Sequence, residues 1–414
     1  MTSWEVPWMK RRAVACISAS LMIVMAGMVY LVLTGENGLS RPQPRGRSIE
    51  VIRLDAAETR DLGWNPDGLD AVFSHVARLS TDALMIVTNG QVVGAFGDLS
   101  EPYNVHSIRK SLLSALIGQQ MASDANPLRL DATLQELGID DSPVQLTELQ
   151  RQATLRDLLK SVSGINHPAA ASGSLQAEID RRLGHKENRP GTVWAYNNWD
   201  YNALTTAFER ETGTGIAEAF DIGIAQPAGM QDFDRSAVSY ISDASQSEHR
   251  AAMFSMSARD LARVGELYLN HGRAGGQRVL ADNWVRLMTE DFTETGIGGL
   301  RWGHGYLWWL PGPETGLPEG TFWAWGLGNQ ALMVIPQWNT VVVHQSDTTE
   351  FWKRFVPLVR DEGLSGEAAI EQLILSCRDA AARETEYCTE HRFITRREFD
   401  QLISLIVAAR TGNG

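Results

Sequence analysis

Apolar and polar positions first fall into a clear rhythm in "ALMIVTNGQVVGAFGD" (Ala83–Asp98), where two short apolar runs flank Asn89-Gly90. Both turn residues tolerate the left-handed backbone of a two-residue type I′ turn, so the pattern predicts a β-hairpin. The stretch "NVHSIRKSLLSALIG" (Asn104–Gly118) follows directly, an apolar run holding three serines, one lysine and one arginine. From about Ser111 to Ala244 the pattern turns helical and loop-rich, with "ATLRDLLKSVSGI" and "WDYNALTTAFERETGTG" as its clearest pieces. "MSARDLARVGELYLNHG" (Met256–Gly272) is a strongly periodic helix, with Ser257 as its N-cap and Gly272 as its stop. Three strand-like segments come next, at Arg301–Leu310, Thr321–Pro336 and Asn339–Asp347. In the tail, Thr395 and Glu398 form a capping box ahead of an apolar helix.

Read in order, this is hairpin, helix, helical insert, helix, three strands and helix. The expected fold class is α/β: one antiparallel sheet flanked by helices, with an all-helical lobe inserted over about 111–244. A chain of 414 residues, 43% apolar, has enough core for such a body.

The N-terminus is patterned differently. Ala13 to Leu33 carries no charged residue and follows Lys10-Arg11-Arg12. An uncharged run of about 20 residues is long enough to cross a bilayer as a helix. It is long for a signal-peptide core, and no small-x-small site follows it cleanly, so a signal-anchor is favoured over a cleaved leader. The expectation is a cytoplasmic 1–12, a span through the lipid bilayer at 13–34, a tether at 35–50 and a folded body at 51–414. That arrangement places a single-pass protein in the inner (cell) membrane, its body facing the periplasm or exterior.

Net charge is -13, which excludes a nucleic-acid surface. Of three cysteines, Cys16 lies in the apolar run, whereas Cys377 and Cys388 stand eleven residues apart near the C-terminus. Those two could pair in an oxidising compartment or stay as thiols in a helical tail. Their spacing matches no metal pattern, and no H-E-x-x-H or C-x-x-C occurs, so no metal or cofactor is expected.

Candidate chemistry centres on Ser107 and Lys110. Residues three apart share a helix face, so this hydroxyl and amine can meet. Serine needs a base to become a nucleophile, and lysine serves only when neutral. A helix N-terminus and burial both disfavour the ammonium. Only five lysines stand against 32 arginines, and Lys110 alone has a serine three residues before it. An arginine there, always protonated, could not act as a base. Ser111 and Ser114 read as small packing residues, His106 as a hydrogen-bonded structural histidine, and Arg109 as structural or solvent-facing. In "PGTVWAYNNWDYNAL" (Pro190–Leu204), Tyr196 could shuttle a proton with a pKa lowered by a cationic lysine. The Asn198 amide could hold the lysine or a substrate carbonyl. In "WAWGLGNQ" (Trp323–Gln330), Gly326 and Gly328 weaken a strand and suggest close approach by a ligand or another backbone.

These three pieces, in this order, resemble the serine β-lactamase and penicillin-binding-protein superfamily, with its S-x-x-K mechanics. The likeness is strongest to its esterase and 6-aminohexanoate-dimer-hydrolase-like branch, through "TLRDLLKSVSGI", "GTVWAYNNWDYNAL", "QPAGM", "FSMSARDLARVGELYLNHG", "GYLWW" and "GNQALMVIP". It covers roughly Ala83 to Asp347 and the final helix. The resemblance implies a β-lactamase-like fold, with Ser107 as acylated nucleophile, Lys110 as its base and Tyr196 as second proton shuttle. Asn198 fills the asparagine of the second motif, and the third falls on Ala324-Trp325-Gly326. The N–H groups of Ser107 and Leu327 then form the oxyanion hole. The superfamily has Lys or His where this chain has Ala324, which argues against β-lactams and D-alanyl-D-alanine peptides and favours small ester or amide substrates. A cell-wall peptidase or β-lactamase stays as the alternative enzyme, and a catalytically silent envelope binding protein as the non-enzyme. His249 lies where this branch often has a cleft histidine, with a structural role equally open. Tyr306, Trp308 and Trp309 are expected in the core rather than in an acyl pocket.

Overall fold

The computed structural model describes residues 50–123, 128–172, 175–184, 186–297, 302–364 and 396–411, with isolated positions between 368 and 394. At its centre is a nine-stranded antiparallel sheet. Strand β1 (Glu50–Arg53) edges the hairpin of β2 (Ala83–Thr88) and β3 (Gln91–Gly97). Asn89 and Gly90 adopt φ of 53° and 75°, the left-handed pair the hairpin signal required. Two other groups lie outside the main sheet. Strands β4 (Tyr103–Asn104), β5 (Val238–Asp243) and β6 (Ser247–Met256) form a three-stranded sheet, and β7 (Arg273–Ala274) and β8 (Gln277–Arg278) form a small ribbon. The main sheet is completed by β9 (Thr293–Glu294), β10 (Gly303–Gly305), β11 (Trp308–Leu310), β12 (Phe322–Gly326), β13 (Gln330–Ile335) and β14 (Thr340–Gln345). Its order is β1-β3-β2-β14-β13-β12-β11-β10-β9. β14 pairs with β2, from Thr340 opposite Thr88 to Gln345 opposite Ala83, and so joins the two ends of the chain.

Helices α1 (Ala56–Asp61) and α2 (Pro66–Val76) precede the hairpin, and α3 (Ile108–Gln120) follows it. The inserted lobe carries α4 (Leu155–Leu159), α5 (Leu175–Leu183), α6 (Asn198–Thr212), α7 (Ile216–Phe220) and α8 (Gln226–Ala228). After it come α9 (Ala258–Leu269), α10 (Trp284–Glu290), α11 (Thr349–Arg360) and α12 (Arg396–Thr411).

One sheet face is covered by α12, whose Phe399 ring stacks on Trp325 at 6.0 Å and meets Trp323 and His344. α2 lies so close to α12 that a Cβ at Gly68 would reach Ala409 Cα at 2.7 Å. The other face is covered by α9, where Gly265 admits Val341 and Tyr268 packs on Trp308 at 4.5 Å. Ser257 caps α9 as expected, accepting from the Asp260 N–H.

Three expectations change. The segment 301–310 is a hairpin rather than one strand, because Tyr306 and Leu307 turn the chain with φ of 49° and 70°. The segment 321–336 is also two strands, broken where Gly328 takes φ 78° and Asn329 φ 57°. The lobe is not all helical, since β5 falls within it and pairs with β6.

The expected single-pass membrane placement is corrected as well. Among the described residues no helix is long and apolar enough to cross a membrane. The 13–34 segment on which the placement rested lies outside the described residues, as do Cys377 and Cys388.

Candidate active site

α3 is buried nearly all round: apolar Ile108, Leu112, Leu116 and Ile117 are enclosed, but so are Arg109, Lys110, Ser111 and Ser114. A helix buried on every face sits at the centre of a fold, here between sheet and lobe. Its entry is set by His106, whose left-handed φ of 48° is held by an Asn104 Oδ1 contact to its N–H at 2.9 Å. Its ring meets Thr348 Oγ1 at 2.6 Å and Trp352 at the start of α11. The structural reading of His106 is thus met by specific partners.

Ser107 occupies the N-cap but makes no side-chain cap bond, since its backbone is already helical (φ -70°, ψ -11°). An N-cap serine ordinarily spends its oxygen on the N2 or N3 amide. Here the Lys110 amide donates to the Ser107 carbonyl instead, and Ser107 Oγ meets Lys110 Nζ at 3.0 Å. Lys110 Nζ also lies 2.8 Å from the Tyr196 hydroxyl. Tyr196 comes from the turn before α6, and Asn197 caps that helix through the Trp199 N–H.

The electrostatics follow from burial. Lys110 is 2% exposed, and its pKa is driven well below the usual lysine value, first by desolvation and then by the neighbouring Arg109 guanidinium. Both effects hold the amine towards its neutral form. Tyr196 departs from expectation: burial pushes its phenol up to about 12, outweighing its hydrogen bond with Ser107 and the charge of Arg109.

Gly326 closes the site from the sheet. A Cβ there would lie 2.4 Å from the Val105 carbonyl and 3.3 Å from His106 Cβ, so the end of β12 abuts the chain just before Ser107. This is the close backbone approach that the glycine signalled. Ala324 is fully buried within the strand and places no cation there.

The other candidates are distributed differently. Asn198 donates to the Ala171 carbonyl at 2.6 Å rather than meeting Lys110. Trp325 faces Phe399 and lies under the Arg396 guanidinium at 4.4 Å. His249 is held by Thr206 at 3.0 Å and the Asp140 carbonyl at 2.7 Å, against Trp199, so its contacts belong to the lobe. Ser111 donates to the Leu307 carbonyl at 2.7 Å, a packing role with a hydrogen bond added. Trp309 stands 5.3 Å from the Tyr196 ring, and His304 lies against both.

Sequence reasoning missed Arg109 as a buried neighbour of the pair, and missed Tyr201 and His304 altogether. One arginine among 32 carries no signal by itself. Tyr201 could have been found from its place on the first turn of α6, five residues after Tyr196.

Comparison with known proteins identifies the family. Residues 69–354 match the Beta-lactamase family, and the chain belongs to it. It is 26% identical over 333 residues to a 6-aminohexanoate-dimer hydrolase of Paenarthrobacter ureafaciens, covering 74% of this chain and 81% of that protein. Among solved structures it is similar to a penicillin-binding protein homolog from Caulobacter crescentus, with TM-score 0.52 and 12% identity over 72% of this chain and 94% of that one. A family VIII carboxylesterase gives TM-score 0.51 and 16% identity over the same shares, 72% and 94%. These structural likenesses show the β-lactamase-like fold.

Proposed function

We propose that the protein is a serine hydrolase that cleaves a small ester or amide through an acyl-enzyme on Ser107. The observation that carries this reading is the contact of one buried, desolvated lysine with both hydroxyls, Ser107 at 3.0 Å and Tyr196 at 2.8 Å. Neutral Lys110 takes the Ser107 proton as Oγ bonds to the substrate carbonyl carbon. The N–H groups of Ser107 and Leu327 receive the charge that develops on the carbonyl oxygen. Tyr196 gives its proton to the leaving alcohol or amine as the C–O or C–N bond breaks, and Lys110 returns a proton to Tyr196. Water then attacks the ester carbonyl with the same groups in reverse, releasing the acid and restoring Ser107.

Ala324 supports esters and amides over substrates that bring a carboxylate to that strand, because no cation stands there to hold one. The test is covalent labelling with a fluorophosphonate, read as intact mass and mapped to the Ser107 peptide, beside turnover of short esters, amide dimers and a chromogenic β-lactam. Stoichiometric labelling that Ser107→Ala abolishes is expected. Equal labelling of Ser107→Ala overturns the assignment.

A further inference from the structure

Lys110 is enclosed by unusual company. Its Nζ lies 4.4 Å from the centroid of the Tyr196 ring and 4.6 Å from that of Tyr201. The two rings stand 5.2 Å apart at 60°, so the amine sits between the Tyr196 hydroxyl, 2.8 Å away, and the Tyr201 ring. The Tyr201 hydroxyl is engaged elsewhere, 2.8 Å from Ser161 Oγ, so what Tyr201 offers the lysine is its ring. Tyr201 is fully buried, and burial raises its phenol pKa well above normal, keeping the ring neutral.

The remaining groups that face Lys110 do not favour a cation. Arg109, on the same helix, is a buried positive charge whose guanidinium donates to the Ala252 carbonyl at 3.4 Å. His304, from β10, is buried and neutral, its pKa pushed down to about 3 by burial and then by Lys110. His106, just before α3, is likewise held to about 3 by burial, then by Arg109 and Lys110. Among the described residues no carboxylate pairs with Lys110. A proton arriving from Ser107 therefore creates an ammonium with no standing counter-ion. An aromatic face attracts a desolvated cation electrostatically, by an amount set by the ring's electron density.

We propose that Tyr201 is a positioning residue for the Ser107–Lys110 pair, its ring face stabilising the lysine ammonium that forms as Ser107 attacks. This rests on the acyl-enzyme reading above and adds a group that acts through Lys110 rather than on the substrate. Tyr201 orients the amine between Ser107 and Tyr196 and strengthens it as a base without introducing a charge that would pair with it permanently.

The test replaces Tyr201 with phenylalanine and then with phenylalanines of increasing ring fluorination, which drain the π face while nearly keeping its shape. Tyr201→Phe is expected to keep the acid limb of the kcat/KM–pH profile close to the parent's. Each further fluorination is expected to move that limb to lower pH and to lower the plateau, about tenfold across the series. Fluorophosphonate titration of Ser107 gives the folded, competent fraction of every variant, so a folding loss is removed from the rates. An acid limb independent of fluorination overturns the role of Tyr201 while leaving the Ser107 reading intact. Labelling that persists in Ser107→Ala instead overturns the reading beneath it.

Discussion

Gly326 and Val105 are in backbone contact, and a side chain of even one carbon at 326 would stand 2.4 Å from the Val105 carbonyl oxygen. The strand that ends at Gly326 and the segment that delivers Ser107 are therefore fixed against each other without an intervening side chain. Gly326→Ala must push them apart, a local overpacking that costs about 1–3 kcal/mol. The expected outcome is a modest fall in Tm with a much larger fall in Ser107 acylation rate, read by stopped-flow labelling. A rate that falls only in step with the folded fraction would remove Gly326 from the site.

Burial lowers the pKa of Lys110 at a cost to the fold. Its folded pKa lies below its unfolded one, so the unfolded chain binds a proton that the folded chain does not, and stability rises with pH through that window. Lys110→Met removes the amine and is expected to stabilise the protein by about 1 kcal/mol near neutral pH while abolishing turnover. The gain should be largest at low pH and vanish as pH approaches the ordinary lysine value of 10.5, measured by chemical denaturation across pH.

Asp141 ties the lobe together. It is buried and accepts from His167 at 2.9 Å, Ser247 at 2.8 Å and Trp199 at 2.7 Å. Burial works against its charge, but these bonds outweigh it and hold the pKa down to about 2. Being depressed, this carboxylate contributes stability that is present above its unfolded value of 3.8 and lost as pH falls towards 2. Asp141→Ala strands these three donors together with the Ser142 and Glu248 N–H groups, and is expected to cost about 3 kcal/mol at neutral pH, a difference that narrows below pH 3.8 in urea titrations.

His249 bridges Thr206 and the Asp140 carbonyl within the same lobe. His249→Ala is expected to lower stability by about 1–3 kcal/mol through the unsatisfied carbonyl, leaving the Ser107 acylation rate per folded molecule unchanged. A selective loss of acylation rate would return His249 to the cleft.

How much of this was legible depends on what each residue type declares locally. Asn89-Gly90, Ser257 and Gly326 announce a backbone conformation or contact that few other residues permit, and the structure bears each of them out. Tyr306 and Leu307 announce nothing of the kind, so a hairpin with a left-handed turn at two bulky residues read as a single strand. The β5–β6 pairing was equally silent, because β5 is largely exposed and has no continuous apolar face. For the site, spacing within one helix and a scarce lysine pointed to Ser107 and Lys110. The groups that enclose the amine, Tyr201 and His304, are brought there by long-range packing, which no local pattern encodes.

The pairing of β2 with β14 has a consequence for how the protein is made. Thr88 and Thr340 lie side by side in the sheet with the whole lobe looped out between them. Synthesis proceeds from the N-terminus, so the hairpin and α3 must wait, with an open strand edge, until the last strands leave the ribosome. Hydrolytic competence should therefore switch on late and all at once during translation, making onset of Ser107 labelling on stalled nascent chains a marker for sheet closure.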